Sequence, residues 1–422
     1  MHSAPRSLEV HEIGGVDVTA LATRYGTPLL AIDTDVLDGA VARFARLGAD
    51  LGIDVAYAGK ALLVVALAAR LRATTLRLDV CSLGELHTAE RAGFPAERIV
   101  MHGCGKTDEE LAAAAAGRVG RIVVDNREEL TRLAEIATRD RPIKILLRLN
   151  PGIEAHTHAY VRTGGEDSKF GFALADADGA IAQALAAPSL RLVGIHSHLG
   201  SNIFDAAPYE ASLTVLLEVF ARASARGAAL TELIVGGGFG VDSHPDGERL
   251  NLETTLGALC AHLQKEAKRL GVVPPRLGIE PGRAIIAEAG TSLYRVLTLK
   301  RQGTRRFAIV DGSLADNPRP AIYGAYHHPV ALGRAFAREL EETTVCGRSC
   351  ENDELVVAPL PLDLRPGDLL ALRSTGAYTF SMASNYNRFP RPPVIFAGGG
   401  RDSAVVRRES LEDLVRNDAP PD

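Results

Sequence analysis

A chain of 422 residues is too long for one average domain and long enough to bury a large core, so two domains are expected. Its 47 Lys and Arg against 52 Asp and Glu leave a mixed, mildly acidic balance, which argues against nucleic acid or an anionic membrane as partner. The five cysteines are odd in number and scattered, as in a cytoplasmic protein with reduced thiols, and no apolar run suits a secretory signal or a membrane span.

Residues 1–28 are short and mixed, and are expected to pack on a C-terminal domain. Leu29–Asp33 reads as a short strand, followed by a helix to about Leu51. A regular alternation then begins. Apolar strand candidates fall at Ile53–Ala58, Leu76–Val80, Arg98–His102, Arg121–Asp125, Ile143–Leu149, Leu192–His198, Glu232–Gly236 and Arg276–Glu280. Alanine- and leucine-rich helical stretches separate most of them. The strands are continuous apolar runs, as parallel strands buried on both faces require. The pattern predicts an α/β fold, a (β/α)8 TIM-like barrel over 29–284. From about 285 to 422 helical stretches become rare. Short β-prone runs at Ser292–Leu299, Arg306–Val310, Glu354–Ala358, Asp368–Leu372 and Pro393–Phe396 predict a mostly-β second domain.

Barrel enzymes build their sites at the C-terminal ends of the strands. Polar and glycine residues gather there. Lys60 follows strand one, at Tyr57-Ala58-Gly59-Lys60-Ala61, where an apolar helix from Ala61 to Ala69 is expected to open. Taken by itself such a lysine is an ordinary solvated residue. In this company it is a candidate amine for a Schiff base with a carbonyl cofactor. Asp79, Arg148, His196 and His198 end strands two, five and six. Strand seven runs into Gly236–Gly240, and strand eight ends at Glu280-Pro281-Gly282-Arg283. A glycine loop after strand seven with an arginine after strand eight matches the phosphate site of barrels. Glu280 pairs with Arg283 in the plain reading. In the functional one it keeps a pyridine nitrogen protonated. A histidine such as His198 is more often a core residue, but its loop with Gly200 and Ser201 would let an imidazole lie flat against a ring.

The second domain adds Cys350-Glu351 in a polar loop, Gly376-Ala377-Tyr378, and Arg319 in the proline-flanked stretch Asp316–Tyr323. Arginine is the natural partner of a substrate carboxylate. Cys346 and Cys350 are close in sequence, but no second Cys or His pair completes a zinc site, so no metal is expected.

These motifs, with Asp79-Val80-Cys81-Ser82 and Ser168-Lys169-Phe170-Gly171, carry a resemblance over about Tyr25 to Arg391. The chain resembles the fold-type III pyridoxal-phosphate decarboxylases of alanine racemase-like architecture, and among them the diaminopimelate decarboxylases most. The resemblance implies pyridoxal 5'-phosphate on Lys60, His198 stacked on the pyridine ring and Glu280 facing its nitrogen. It places Asp79, Ser201, Gly236, Gly237, Gly238, Pro281, Gly282, Arg283 and Tyr378 around the cofactor, with the glycines, Ser201 and Tyr378 on the phosphate. Arg283, Arg319, Tyr323, Glu351 and Tyr378 would contact a small amino-acid substrate, and Cys350 would be the proton donor. In the family the Cys-Glu pair reaches the pocket from a second subunit, which implies a homodimer with shared active sites.

The implied activity is α-decarboxylation, with meso-diaminopimelate to L-lysine and CO2 as the leading reading. Another amino acid with a distal polar group is the main alternative. A racemase fits less well, because it needs a second base, typically a tyrosine, where this chain carries Cys350-Glu351. A non-catalytic relative is disfavoured by the intact Lys60, Glu280 and Cys350. The chain departs from the family pattern at Asn352-Asp353 (usually Ser-Gly), Asn202 (usually Gln), His102-Gly103-Cys104-Gly105-Lys106 (usually His-Gly-Asn-Asn-Lys), Arg162 and Gly165. Arg162, Arg319 and the 350–354 loop are expected to govern the choice of substrate.

Overall fold

The computed structural model describes residues 11–153, 168–244, 247–248 and 250–419. Contacts divide the chain into two compact units, one over 41–241 and 248–284, the other chiefly over 11–40 and 285–419.

The first unit holds the barrel. Its strands are Asp54–Ala58, Arg77–Val80, Ile99–Met101, Arg121–Val124, Ile143–Asn150, Leu190–His196, Glu232–Ile234 and Arg276–Ile279. Each pairs in parallel with the next, and the last pairs with the first through Gly278↔Asp54 and Ile279↔Val55, so the sheet closes. All eight strands expected from the apolar runs are present, with ends shifted by at most a few residues. Val100, Val123, Leu146, Val193 and Ile234, from five of the strands, cluster as an apolar layer. At the N-terminal end the first residues of five strands are charged and pair with one another. Asp54 meets Arg77 at 3.5 Å and Arg276 at 3.2 Å, and Arg121 pairs with Glu232. Ion pairs therefore link strand starts across the floor of the barrel.

Caps fix where the barrel helices start. Ser82 accepts from the Glu85 N–H ahead of the helix Leu83–Arg91. Thr107 and Glu110 form a capping box ahead of Asp108–Ala115. The first crossover differs from expectation. Gly59–Ala61 is a 3-10 turn, and the helix begins only at Val65. Ala61-Leu62-Leu63-Val64 carries no side-chain cap for an earlier start, and the buried Tyr57 hydroxyl donates to the Leu62 carbonyl at 2.9 Å.

The second unit is a nine-stranded sheet system. Its centre is the 13-residue strand Gly290–Gln302, which pairs antiparallel with Arg305–Val310, Leu369–Arg373 and Leu29–Asp33. Leu29–Asp33 also pairs with Val394–Gly398. It thus belongs to this sheet, although its position in the chain groups it with the barrel. Three further strands, Pro329–Leu332, Leu340–Cys346 and Arg401–Val406, were not expected from the sequence. Two apolar clusters fill the unit, one around Leu21, Leu293 and Ile395, the other around Tyr294, Val345 and Leu370. Among the described residues no helix is long and apolar enough to cross a membrane.

Candidate active site

The C-terminal ends of the barrel strands enclose a cavity of about 410 Å³ lined by Lys60, Asp79, His102, Arg148, His196, His198 and Glu280 among others. Lys60 is exposed on its 3-10 turn. The turn has no slack. A side chain on Gly59 would run into the Asp79 carbonyl, and one on Gly282 would press on Ala58 and Ala61. The end of strand eight is thereby packed onto the lysine-bearing turn, and the Ala58 N–H donates to the Pro281 carbonyl at 3.1 Å.

Glu280 is buried. Its Oε2 lies 3.1 Å from His196 Nε2, and its Oε1 lies 3.4 Å from His102 Nε2. His102 Nε2 is also 3.6 Å from Asp79 Oδ1. Glu280 Oε1 and Asp79 Oδ1 accept no hydrogen bond among the described residues. Burial, with the Glu280 charge beside it, raises the Asp79 carboxyl well above its usual range. Burial acts on Glu280 in the same sense, but His196 and then His102 outweigh it and lower that carboxyl. The two carboxyls are thus pushed in opposite directions, Asp79 toward its acid and Glu280 toward its anion. Burial takes His102 down to about 3, against the pull of the Glu280 charge.

His198 is likewise driven well below its ordinary value by burial and the nearby Lys60 charge. Its Nδ1 accepts the Gly237 N–H at 3.2 Å, which leaves the proton of the neutral ring on Nε2. The glycine run has physical reasons. Gly236 and Gly238 have φ of +75° and +94°, the left-handed half of the map. Side chains on Gly236, Gly237 and Gly238 would collide with His198, the Glu280 carbonyl and the Gly200 carbonyl in turn. Ser201 Oγ accepts from Arg283 Nη2 at 3.0 Å beside this loop. Asn202, at φ +64°, accepts the Val241 N–H at 3.2 Å and ties down the chain beyond the glycines.

The structure therefore gathers Lys60, Asp79, His198, Ser201, Gly236, Gly237, Gly238, Glu280, Pro281, Gly282 and Arg283 at one end of the barrel. Sequence reading had assigned no role to His102, His196 or Arg148. His102 and His196 flank the Glu280 carboxylate, and the Arg148 guanidinium lies buried 4.4 Å from the Phe170 ring. Their only signal in the sequence is their place at strand ends.

In the second unit Arg319 is buried, with its guanidinium 5.6 Å from the rings of both Tyr323 and Tyr378. Tyr378 has φ +62°, a strained value for a tyrosine. Cys350 and Glu351 do not join this trio. They are exposed, and their hydrogen bonds go to Asn387 and Tyr386. Arg162 and Gly165 lie outside the described residues.

Residues 37–287 match the family model described as pyridoxal-dependent decarboxylase, pyridoxal binding domain. The chain is 40% identical to the diaminopimelate decarboxylase of Bacillus subtilis, over 97% of this chain and 95% of that one. It is 42% identical to the enzyme of the same name from Actinosynnema pretiosum, over 96% and 92%. The crystal structure of Helicobacter pylori diaminopimelate decarboxylase complexed with L-lysine superimposes with a TM-score of 0.87 at 30% identity, covering 95% of this chain and 98% of that one.

Proposed function

Since the chain belongs to the pyridoxal-dependent decarboxylases, and within them to the diaminopimelate decarboxylase family, we propose that it converts meso-diaminopimelate to L-lysine and CO2 with pyridoxal 5'-phosphate at the mouth of its barrel. The observation that carries this reading is Glu280, a buried carboxylate with one oxygen that accepts no hydrogen bond among the described residues, in a cavity that also holds an exposed lysine amine. A protonated pyridine nitrogen is the donor that such an oxygen lacks. The cradle fits as well, because Gly236–Gly238 keep side chains away where a phosphate would approach backbone N–H groups.

Bound there, the cofactor supplies an electron sink for the pair left behind by the departing carboxylate. The chain's own residues do the rest. Lys60 Nζ would be the amine that holds the cofactor. Glu280 would hold the proton on the ring nitrogen, with Asp79, pushed toward its acid by burial, beside it. His198, neutral, offers a flat face to the ring. Ser201, Arg283, the glycines and Tyr378 hold the phosphate, and Pro281 and Gly282 shape the wall. Arg283, Arg319, Tyr323, Glu351 and Tyr378 orient the substrate. Cys350 Sγ gives its proton to the α-carbon as general acid.

Cys350 and Glu351 serve the barrel of a second copy in this reading, which makes the working form a homodimer with shared sites. Their exposure on a loop supports that role. The free state of all five cysteines supports a cytoplasmic setting.

Two measurements test the proposal together. Borohydride reduction followed by peptide mapping is expected to find the cofactor on Lys60. CO2 release is expected from meso-diaminopimelate and not from lysine, ornithine, arginine or glutamate. Label on another lysine removes the anchor, and preference for another acid removes the substrate.

A further inference from the structure

The Cys350–Glu351 pair sits on the hairpin loop between Leu340–Cys346 and Glu354–Pro361. The base of this loop is fixed. Gly347 N–H donates to the Asp353 carbonyl at 2.8 Å. The Asp353 carboxylate is buried and accepts the Leu314 N–H at 2.7 Å and the Ser349 N–H at 3.2 Å. A side chain on Gly347 would collide with Asp353 and the Ser313 backbone. Asp353, one of the residues by which the chain departs from the family pattern, is therefore the bolt at the root of the loop.

The tip is held differently. The Cys350 N–H donates to Asn387 Oδ1 at 2.9 Å, and the Tyr386 hydroxyl donates to Glu351 Oε1 at 2.5 Å. Asn387 and Arg388 both sit at left-handed φ, +53° and +57°. A non-glycine residue there persists where its surroundings over-determine it. Meanwhile Tyr386 is 38% exposed and Glu351 is exposed, so their hydrogen bond adds little to the stability of the fold. Arg388 reaches away to the Leu414 carbonyl and Asp418, which leaves Asn387 and Tyr386 holding the exposed tip, contacts better suited to aiming than to stability.

We infer that Tyr386 and Asn387 are positioning residues, Asn387 aiming the Cys350 thiol and Tyr386 the Glu351 carboxylate. The inference rests on the roles proposed above for Cys350 and Glu351. It assigns the two contacts different kinetic signatures. Asn387 acts through the proton donor and belongs to kcat. Tyr386 acts through a substrate contact and belongs chiefly to KM.

The test uses the full-length holoenzyme with meso-diaminopimelate. Asn387→Gly keeps a residue at ease at positive φ but removes the acceptor. Asn387→Asp restores an acceptor. Asn387→Gly is expected to lower kcat roughly ten- to hundred-fold, as small misplacements of reacting groups do. The alkylation rate of Cys350 by iodoacetamide, read by mass spectrometry, should shift with it. Asn387→Asp should return both close to wild type. Tyr386→Phe should raise KM by about tenfold, the loss of one charge-assisted hydrogen bond, with kcat little changed and melting temperature unmoved. If Asn387→Gly does not fold, Tyr386→Phe carries the test, since it deletes one exposed hydroxyl.

Wild-type kcat and alkylation in Asn387→Gly overturn the inference, as does an Asn387→Asp enzyme as impaired as Asn387→Gly. A Tyr386→Phe enzyme with unchanged KM removes the Tyr386 half. Cys350→Ala is run alongside. If it keeps full turnover, the acid assignment itself falls and the aiming role falls with it. If it is inactive while Asn387→Gly is normal, only the aiming role falls.

Discussion

Glu280 shows how little of a residue's chemistry resides in its own type. Two carboxyl groups, Asp79 and Glu280, meet the same buried cavity, yet one is pushed toward its acid and the other toward its anion. The difference lies in the neighbours. His196 bonds to Glu280 Oε2, while Asp79 Oδ1 accepts nothing among the described residues. Glu280→Gln keeps the shape and removes the charge. We expect it to bind the cofactor, melt near the wild-type temperature, and lose roughly 10²–10³-fold in kcat, as for removal of one preorganised electrostatic contact. Absorbance of the bound cofactor and steady-state kinetics check this. A turnover near wild type would show that the charge at Glu280 is not used. The position of Glu280 was legible in the sequence because it ends a strand in a glycine-containing motif. The role of His102 was not, because its approach to Glu280 spans 178 residues of chain and depends on closure of the barrel, which no local pattern encodes.

At the scale of elements, legibility followed burial. The barrel strands are apolar on both faces and were visible as runs. Leu340–Cys346 begins Leu-Glu-Glu-Thr-Thr, and its first residues are largely exposed, so no apolar run marks it. Pro329–Leu332 and Arg401–Val406 each pair with a single partner, and the second has no buried residue. Edge strands of this kind carry polar residues and proline and look like loops. Leu29–Asp33 failed in the opposite way. It is a clear strand, but its partners are some 260 and 360 residues away, and only the folded sheet assigns it.

Two predictions belong to this scale. A methyl at Gly237 would strike the Glu280 carbonyl, so Gly237→Ala forces the glycine loop off the end of strand eight. Overpacking of this kind costs about 1–3 kcal/mol. The expected result is a lower melting temperature and a lower content of bound cofactor after dialysis. Full cofactor content would mean that the loop is not the phosphate cradle. The second concerns the sheet of the other unit. Asp316 is half-buried, bonded to the Tyr294 hydroxyl of the strand Gly290–Gln302 at 2.7 Å, and desolvation lifts its carboxyl from 3.8 to about 7. A folded-state pKa above the unfolded one means that the native state holds the extra proton. Its contribution is full below about pH 4 and is lost as pH rises to about 7. Asp316→Asn removes that titration. The amide gives up one acceptor at a constant cost, but the melting temperature of the variant should gain on wild type between about pH 4 and pH 7. Parallel melting curves across that range would place the charge of Asp316 elsewhere.

The whole molecule poses a question of supply, because the groups proposed for one reaction are divided between two units of the chain. Lys60 and Glu280 stand on the barrel, while Cys350 stands exposed on a hairpin of the β-rich unit. A twofold dimer resolves the division if each hairpin serves the barrel of the other copy, for twofold symmetry then makes two equivalent sites at once. The two halves can be broken separately. Lys60→Ala destroys every barrel site of its own copy, and Cys350→Ala removes every acid of its own copy. Each homodimer is then inactive. Refolding an equal mixture puts half of the protein into mixed dimers, and each of those has one site with both groups intact. The expected activity is about one quarter of wild type at equal total protein, by random pairing of symmetric subunits. If each chain served its own barrel, every site in every dimer would lack one group, and the mixture would be as dead as its parts. Activity on mixing therefore reports not only that the protein pairs but which copy supplies the proton, and a null result with mixed dimers verified by native mass spectrometry assigns Cys350 to its own barrel.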